Sequence, residues 1–111
     1  MLTYSVRCIY RWTPRRDQAK RHLYEERITL WTAHTLDHAI ELAESEAAEY
    51  AAEDAEFLGL SQGFWLFDDL ALPQQGMEVF SLLRESDLEP KVYMDTFFDT
   101  GFERQGEYER K

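Results

Sequence analysis

The first part of the chain alternates between apolar and polar residues, the pattern of strands that have one buried face. Between residues 2 and 12 the apolar side chains occupy every second position: Leu2, Tyr4, Val6, Cys8, Tyr10 and Trp12. A polar segment, residues 13–21, contains Pro14 and separates this strand from a second one over about residues 23–33. We predict a hairpin of two strands joined by a long polar loop.

Three adjacent charged residues, Glu25, Glu26 and Arg27, stand near the start of the second strand. Neighbouring residues of a strand point to opposite faces, so Glu25 and Arg27 share one face and Glu26 lies on the other. We predict that Glu25 and Arg27 lie on the solvent side, where they can pair with Arg7 or Arg11. Glu26 shares its face with apolar residues, so we predict that it lies at the sheet margin or is buried and paired.

A helix that opens at Leu36 is the clearest element of the sequence, and Thr35 is a suitable N-cap for it. Its apolar residues form a stripe at helical spacing: Leu36, Ala39, Ile40, Ala43, Ala47, Tyr50 and Ala51. The opposite side is acidic and contains no Lys or Arg: Asp37, Glu41, Glu44, Glu46, Glu49 and Glu53. Carboxylates at this spacing repel one another when no cation stands beside them, so the acidic run requires an explanation.

Two further strands are predicted after the helix. Residues 56–60 and 64–67 form a third strand, interrupted at residues 61–63, where Gly63 indicates a bulge or a turn. Residues 77–86 form a fourth strand with apolar side chains on both faces. Because that pattern is typical of the middle of a sheet, we predict a central position for this strand.

Pro90 fits the first turn of a second helix, which has Gly101 as a plausible stop. The buried side of this helix is predicted to consist of Tyr93, Met94, Phe97 and Phe98. The chain is thus predicted to be a single α+β domain over residues 1–111, with a loose tail from about residue 102. Its antiparallel four-stranded sheet carries two helices, in the order β-β-α-β-β-α.

The charge is distributed unevenly along the 111 residues, whose formal net charge is −10. Residues 1–35 contain seven Lys and Arg against three Asp and Glu, whereas residues 36–111 contain five against nineteen. Such acidity repels phosphate backbones, so nucleic acid is not an expected partner. No apolar run reaches the roughly 18 residues of a membrane span, and a single cysteine is compatible with a reducing compartment. We predict a cytoplasmic protein that makes no membrane contact.

The sequence contains no motif that predicts catalysis, a cofactor or a metal. Its five glycines form no phosphate-binding pattern. Cys8 falls on an apolar face and is predicted to be a core residue. His34, Asp37 and His38 suggest a metal site, but His34 precedes the helix cap, so the three residues do not have the spacing of a fixed ligand set. Glu25 and Glu26 point to opposite faces, so they cannot flank one substrate bond as an acid and a base.

The order of elements carries a resemblance to a known family. The segments that carry it are YEERITLWTA, the helix opening at Leu36, EFLGL and GMEVFSLLRESDL. Together they resemble the uncharacterised bacterial family catalogued as domain of unknown function 4288, from Tyr4 to about Gly101. The most specific part is the Glu26-Arg27-Ile28 core of the second strand. The resemblance implies a small α+β domain and assigns no catalytic residue.

The leading functional hypothesis is a non-enzymatic interaction protein that binds a basic protein partner, as an immunity protein binds a toxin. The residues predicted to bind the partner are acids of the first helix: Asp37, Glu41, Glu44, Glu49 and Glu53. An acidic surface of this kind attracts a basic partner over a distance and accelerates encounter.

Two alternatives remain open. The first is a small-molecule-binding domain or enzyme with a pocket between sheet and helix, lined by Glu26, Arg27, Trp65 and Tyr93. The second is a homodimer formed through an exposed strand or through the aromatic second helix.

Overall fold

The computed structural model describes residues 1–66 and 75–98, without the side chain of Phe98. Its elements are, in chain order, β1 (Leu2–Trp12), β2 (His22–Ala33), α1 (Leu36–Ala51), β3 (Ala55–Trp65), β4 (Met77–Ser86), α2 (Pro90–Tyr93) and a π-helical turn (Met94–Phe98) that continues α2. The predicted α+β class and element order are confirmed, and α2 is short. The predicted helix stop at Gly101 and the predicted loose tail from about residue 102 lie outside the described residues.

The four strands form one antiparallel sheet in the order β3-β1-β2-β4. β1 and β2 pair along their whole length, from Leu2 opposite Ala33 to Trp12 opposite Leu23. The predicted hairpin therefore forms the centre of the sheet. Directly paired residues share a face, so the apolar row of β1 lies on the same face as Glu25 and Arg27 of β2.

α1 packs on this face through its predicted stripe. Thr35 caps the helix, because its Oγ accepts a hydrogen bond from the backbone N–H of His38 at 3.0 Å. Ala39, Ala43 and Ala47 are buried against the sheet. Their small side chains allow the helix to lie close to β1, and the core between the two layers also contains the predicted core cysteine, Cys8.

The opposite face of the sheet is covered by α2 and the π-helical turn. Ile9, Tyr24 and Tyr93 are fully buried there. The rings of Tyr24 and Tyr93 stack with their centroids 3.9 Å apart, and the Tyr24 hydroxyl donates to the carbonyl of Leu88 at 2.6 Å. Both faces of the hairpin are therefore covered, which leaves the charged triplet of β2 between two layers.

β3 is one continuous strand, contrary to the predicted interruption at residues 61–63. Gly63 lies beneath α1, where an added Cβ would come within 2.6 Å of Leu36 Cδ1, so this glycine permits close packing and does not make a turn. The irregularity lies at Gly59, which has a φ of 80°. There the register with β1 shifts between Cys8 and Tyr10.

β4 lies at an edge of the sheet, so the prediction of a central position is wrong. Its apolar residues do point to both faces, but Val79, Phe80 and Leu83 are exposed. A strand with apolar residues on both faces can make apolar contacts on both faces. The pattern does not show that these contacts come from the same chain.

The turn after α1 contains a strained residue, and this strain predicts the effect of one substitution. Ala52 has φ 46° and ψ −122°, a conformation that glycine adopts far more readily than alanine. We expect Ala52→Gly to raise the free energy of unfolding by about 1 kcal/mol. The control, Ala48→Gly, makes the same chemical change inside the helix and should lower it by about 1 kcal/mol. Urea denaturation measures both values, and the same sign for the two variants would contradict the prediction.

Candidate functional site

The charged triplet of β2 is buried on both sides of the sheet. Glu25, Glu26 and Arg27 are only 3 %, 5 % and 7 % exposed. The prediction that Glu25 and Arg27 face solvent is wrong, because α1 covers that face. Glu26 follows the second predicted alternative, in which it is buried and paired.

Glu26 is held by two arginines and a tyrosine on the face covered by α2. One carboxylate oxygen accepts from Arg7 Nη2 at 2.7 Å. The other accepts from Arg84 Nη1 at 3.0 Å and from the Tyr93 hydroxyl at 3.1 Å. Arg7 also donates to Gln62 Oε1 at 3.1 Å. Both oxygens of Glu26 are therefore engaged, and the network joins all four strands to α2.

The same two arginines hold the π-helical turn on the sheet. Arg7 Nη2 donates to the backbone carbonyl of Phe97 at 3.0 Å. The guanidinium of Arg84 lies 4.2 Å from the centre of the Phe97 ring, a cation–π arrangement. Glu26 thus positions two arginines that hold the π-helical turn against β1 and β4.

Arg27 forms a second network on the opposite face, beneath α1. Its Nη1 and Nη2 donate to the two oxygens of Glu46 at 2.7 and 3.0 Å, and its Nε donates to Glu78 at 2.6 Å. The guanidinium also lies 3.7 Å from the centre of the Tyr50 ring. This bidentate and stacked geometry is specific to arginine, and it ties β2 to α1 and to β4.

Glu25 lies on the same face as Arg27 and accepts from neutral donors. Trp12 Nε1 donates to it at 2.9 Å, and the Tyr50 hydroxyl lies 2.9 and 3.0 Å from its two oxygens. The Ser81 hydroxyl is its third donor. Glu25 does not form the predicted pair with Arg7 or Arg11 in the described part of the chain, since Arg7 lies on the opposite face with Glu26 and Arg11 pairs with Glu56.

The four residues predicted to line a pocket do not converge. Glu26 and Tyr93 meet on the α2 face, but Arg27 lies on the α1 face because it directly follows Glu26 in the strand. Trp65 is 47 % exposed on β3, opposite Tyr4 and away from the charged triplet. The geometry therefore indicates that Glu26 and Arg27 hold the layers together and do not border one shared ligand cavity.

An open groove of about 450 Å³ lies elsewhere, at the loop end of the hairpin. Arg11, Arg21 and His22 contribute to its wall. Arg11 pairs with Glu56 and Arg21 with Glu89, and His22 Nε2 lies 3.2 Å from the same Glu89 carboxylate. The two arginines of this groove are thus neutralised internally, which gives it no strong preference for an anionic ligand.

The predicted partner-binding residues lie exposed along α1 and the turn after it. We call Asp37, Glu41, Glu44, Glu49 and Glu53 the acidic face. Glu44 accepts a hydrogen bond from the Ser61 hydroxyl at 3.1 Å. Within residues 1–66 and 75–98, the other four members form no ion pair.

The basic side chains of the hairpin loop form no ion pair with the acidic face among the described residues, although Thr13 of the loop donates to the carbonyl of Asp54, next to Glu53. The backbone N–H groups of Ala19 and Lys20 donate to Glu85 at 2.9 and 3.1 Å. The backbone N–H of Arg21 donates to Asp87 at 2.9 Å, and its side chain pairs with Glu89. These acids belong to β4 and the segment after it, so the described contacts of the loop leave the acidic face without a counter-charge.

No family model, curated protein or solved structure matches this chain. The resemblance noted from the sequence therefore stays a prediction. Among the helices that the structure describes, none is both long enough and apolar enough to cross a bilayer.

The Glu26 network generates a prediction for stability. Glu26→Gln keeps the shape of the side chain but removes the charge that attracts Arg7 and Arg84, so we expect the free energy of unfolding to fall by about 2 kcal/mol. The matched control, Glu41→Gln on the acidic face, should change it by less than about 0.5 kcal/mol. Urea denaturation compares the two variants. Equal stability of both would show that the network does not support the fold.

Tyr50 generates a prediction for alkaline pH. Burial, followed by the hydrogen bond to Glu25, raises the pKa of Tyr50 from 10.0 to about 12. The folded chain thus favours the neutral phenol, and this contribution to stability is present below pH 10 and is lost as the pH rises towards 12. We expect Tyr50→Phe to flatten the decline in stability across this window, measured by urea denaturation and tyrosinate absorbance. An unchanged decline would contradict this assignment.

Proposed function

We propose that this chain is a non-enzymatic interaction domain that binds a basic protein partner through the acidic face of α1. One observation carries the proposal: the acidic face has no counter-ion among the described residues, although the chain pairs its buried carboxylates thoroughly. Glu46, on the same helix, turns inward and is neutralised by Arg27. The outward carboxylates receive no such partner.

The position of the basic loop supports this proposal. A basic loop paired with α1 would have neutralised the acidic face, and the acids would then have served to hold the loop in place. Arg21 of the loop instead pairs with Glu89, and the loop backbone contacts Glu85 and Asp87. The field of α1 is therefore directed to solvent.

The cost of this arrangement also supports a binding role. Adjacent carboxylates on a helix repel one another, and the last turn of α1 contains no basic residue to balance the helix dipole. A basic partner would remove that repulsion on binding and would be attracted over a distance. A complex in which an acidic immunity protein covers a basic toxin is one arrangement of this kind.

The charged triplet gives less support to an enzymatic role. Both oxygens of Glu26 are engaged by donors of the same chain, and Arg27 is saturated by Glu46 and Glu78. Side chains in such closed networks organise the core, and a catalytic acid or base would need a donor or acceptor position open to substrate.

The test compares two variants in which acids are replaced by their neutral amides, and both variants have the same net charge. The first variant changes two residues of the acidic face: Glu41→Gln and Glu49→Gln. The control changes two exposed acids elsewhere: Asp17→Asn and Asp95→Asn. Both variants should stay folded, and the first should be at least as stable as the parent, since it loses repulsion.

A random-peptide library displayed on phage is selected against the parent protein. We expect the selected peptides to be rich in Lys and Arg and to bind less tightly as salt rises. The acidic-face variant should bind a synthetic copy of such a peptide about tenfold less tightly, which corresponds to about 1.4 kcal/mol, whereas the control variant should bind like the parent. Selected peptides without basic residues, binding indifferent to salt, or an equal loss in the control would each overturn the proposal.

A further inference from the structure

The edge strand β4 exposes apolar side chains, and its outer edge has no strand partner among the described strands. Among the described strands β4 pairs only with β2, so its outer edge presents N–H and C=O groups that have no strand partner there. Val79, Phe80 and Leu83 are 50 %, 48 % and 45 % exposed. Exposed, apolar edges of this kind promote pairing with another chain.

The other edge of the sheet is built differently. β3 contains Gly59 in a positive-φ conformation, and its register with β1 shifts at that point, which divides the pairing of the two strands into two shorter runs. The irregularity of β4 lies near its start, between the partners Ile28 and Thr29 of β2. It leaves a regular run from Phe80 to Ser86, long enough to act as a template for a new strand.

We propose that a second copy of this chain adds antiparallel to β4 and forms a two-fold dimer with one continuous eight-stranded sheet. The order of residues along β4 is self-complementary about Ser81. In that register Phe80 lies opposite Leu82 of the second copy within the regular run, and Leu83 lies opposite Val79, the residue of β4 that has no partner in β2. Phe80 and Leu82 already share the α2 face, as a direct cross-strand pair requires.

The charge of β4 also suits a contact between two copies. Glu78 and Arg84 keep their partners within the chain, Arg27 and Glu26. β4 contains two acids and one arginine, so it is close to neutral within a chain of net charge −10. The contact therefore brings together the part of each molecule where repulsion between copies is weak.

This dimer does not depend on the proposed function, and the two proposals predict opposite effects of added salt. Two molecules of charge −10 repel one another at a distance, so added salt should strengthen the dimer. Binding of a basic partner to the acidic face should weaken under the same change. Either proposal can fail while the other stands.

The first experiment measures mass in solution by light scattering after size-exclusion chromatography. The edge variant, Val79→Lys with Leu83→Lys, places two charges on the exposed side chains of β4 and should be a monomer. The control, Val92→Lys with Thr96→Lys, places two lysines on α2 and the turn after it and should remain a dimer like the parent. A monomeric parent, or a dimeric edge variant, would overturn the proposal. Loss of the dimer in the control would place the contact on the second helix and overturn it equally.

The second experiment tests the register by oxidation. In the proposed dimer Ser81 faces its own copy across the two-fold axis, within the roughly 4.5–5.5 Å that separates opposed Cα atoms and that a disulfide can span. Ser81→Cys should therefore form a covalent dimer on non-reducing gels. Leu83→Cys, which lies opposite Val79, should not. Burial raises the pKa of the Cys8 thiol to about 12, so the native cysteine should stay reduced. A dimeric Ser81→Cys protein that does not cross-link would overturn the register.

Discussion

The fold depends on how the chain compensates three adjacent charges in the middle of its central hairpin. Removing Glu25, Glu26 and Arg27 from water is costly, and each of them has donors or acceptors from other elements: Arg7 and Arg84 for Glu26, Glu46 and Glu78 for Arg27, and Trp12, Tyr50 and Ser81 for Glu25. Buried ion pairs add little stability over an apolar core, but they can specify an arrangement. A slip of β2 by one residue would turn Glu26 towards Glu46 under α1, so these charges oppose the wrong register.

Much of the fold follows from the periodicity of the sequence. Alternation in β1, the apolar stripe of α1 and the N-cap at Thr35 each express a local rule, and the structure agrees with all three. The same rules could not place Glu25 and Arg27. Alternation tells which residues share a face, but which face becomes covered depends on where a distant helix packs. Here α1 covers the face that Glu25 and Arg27 share, and it places Tyr50 beside Glu25 and Glu46 beside Arg27.

The remaining errors have a related cause. Gly63 indicated a turn because glycine is common in turns, yet its role is to let Leu36 approach the sheet. The apolar pattern of β4 indicated a central position, yet β4 lies at an edge and Val79, Phe80 and Leu83 are exposed. Two partners of the charged triplet are especially remote, since Arg84 and Glu78 follow Glu26 and Arg27 by more than 50 residues. Such partners become visible only once the strands are arranged in space.

The two proposed surfaces have a geometric relation that bears on how a partner would bind. Antiparallel addition along β4 places the two-fold axis perpendicular to the sheet, so the α1 helices of both copies lie on the same side of the continuous sheet. The two acidic faces then look in one direction. A basic partner with two sites, or a dimeric one, would contact both at once, and the second contact would form at a high effective concentration. Dimerisation would thus strengthen the binding of such a partner without adding any new contact to α1.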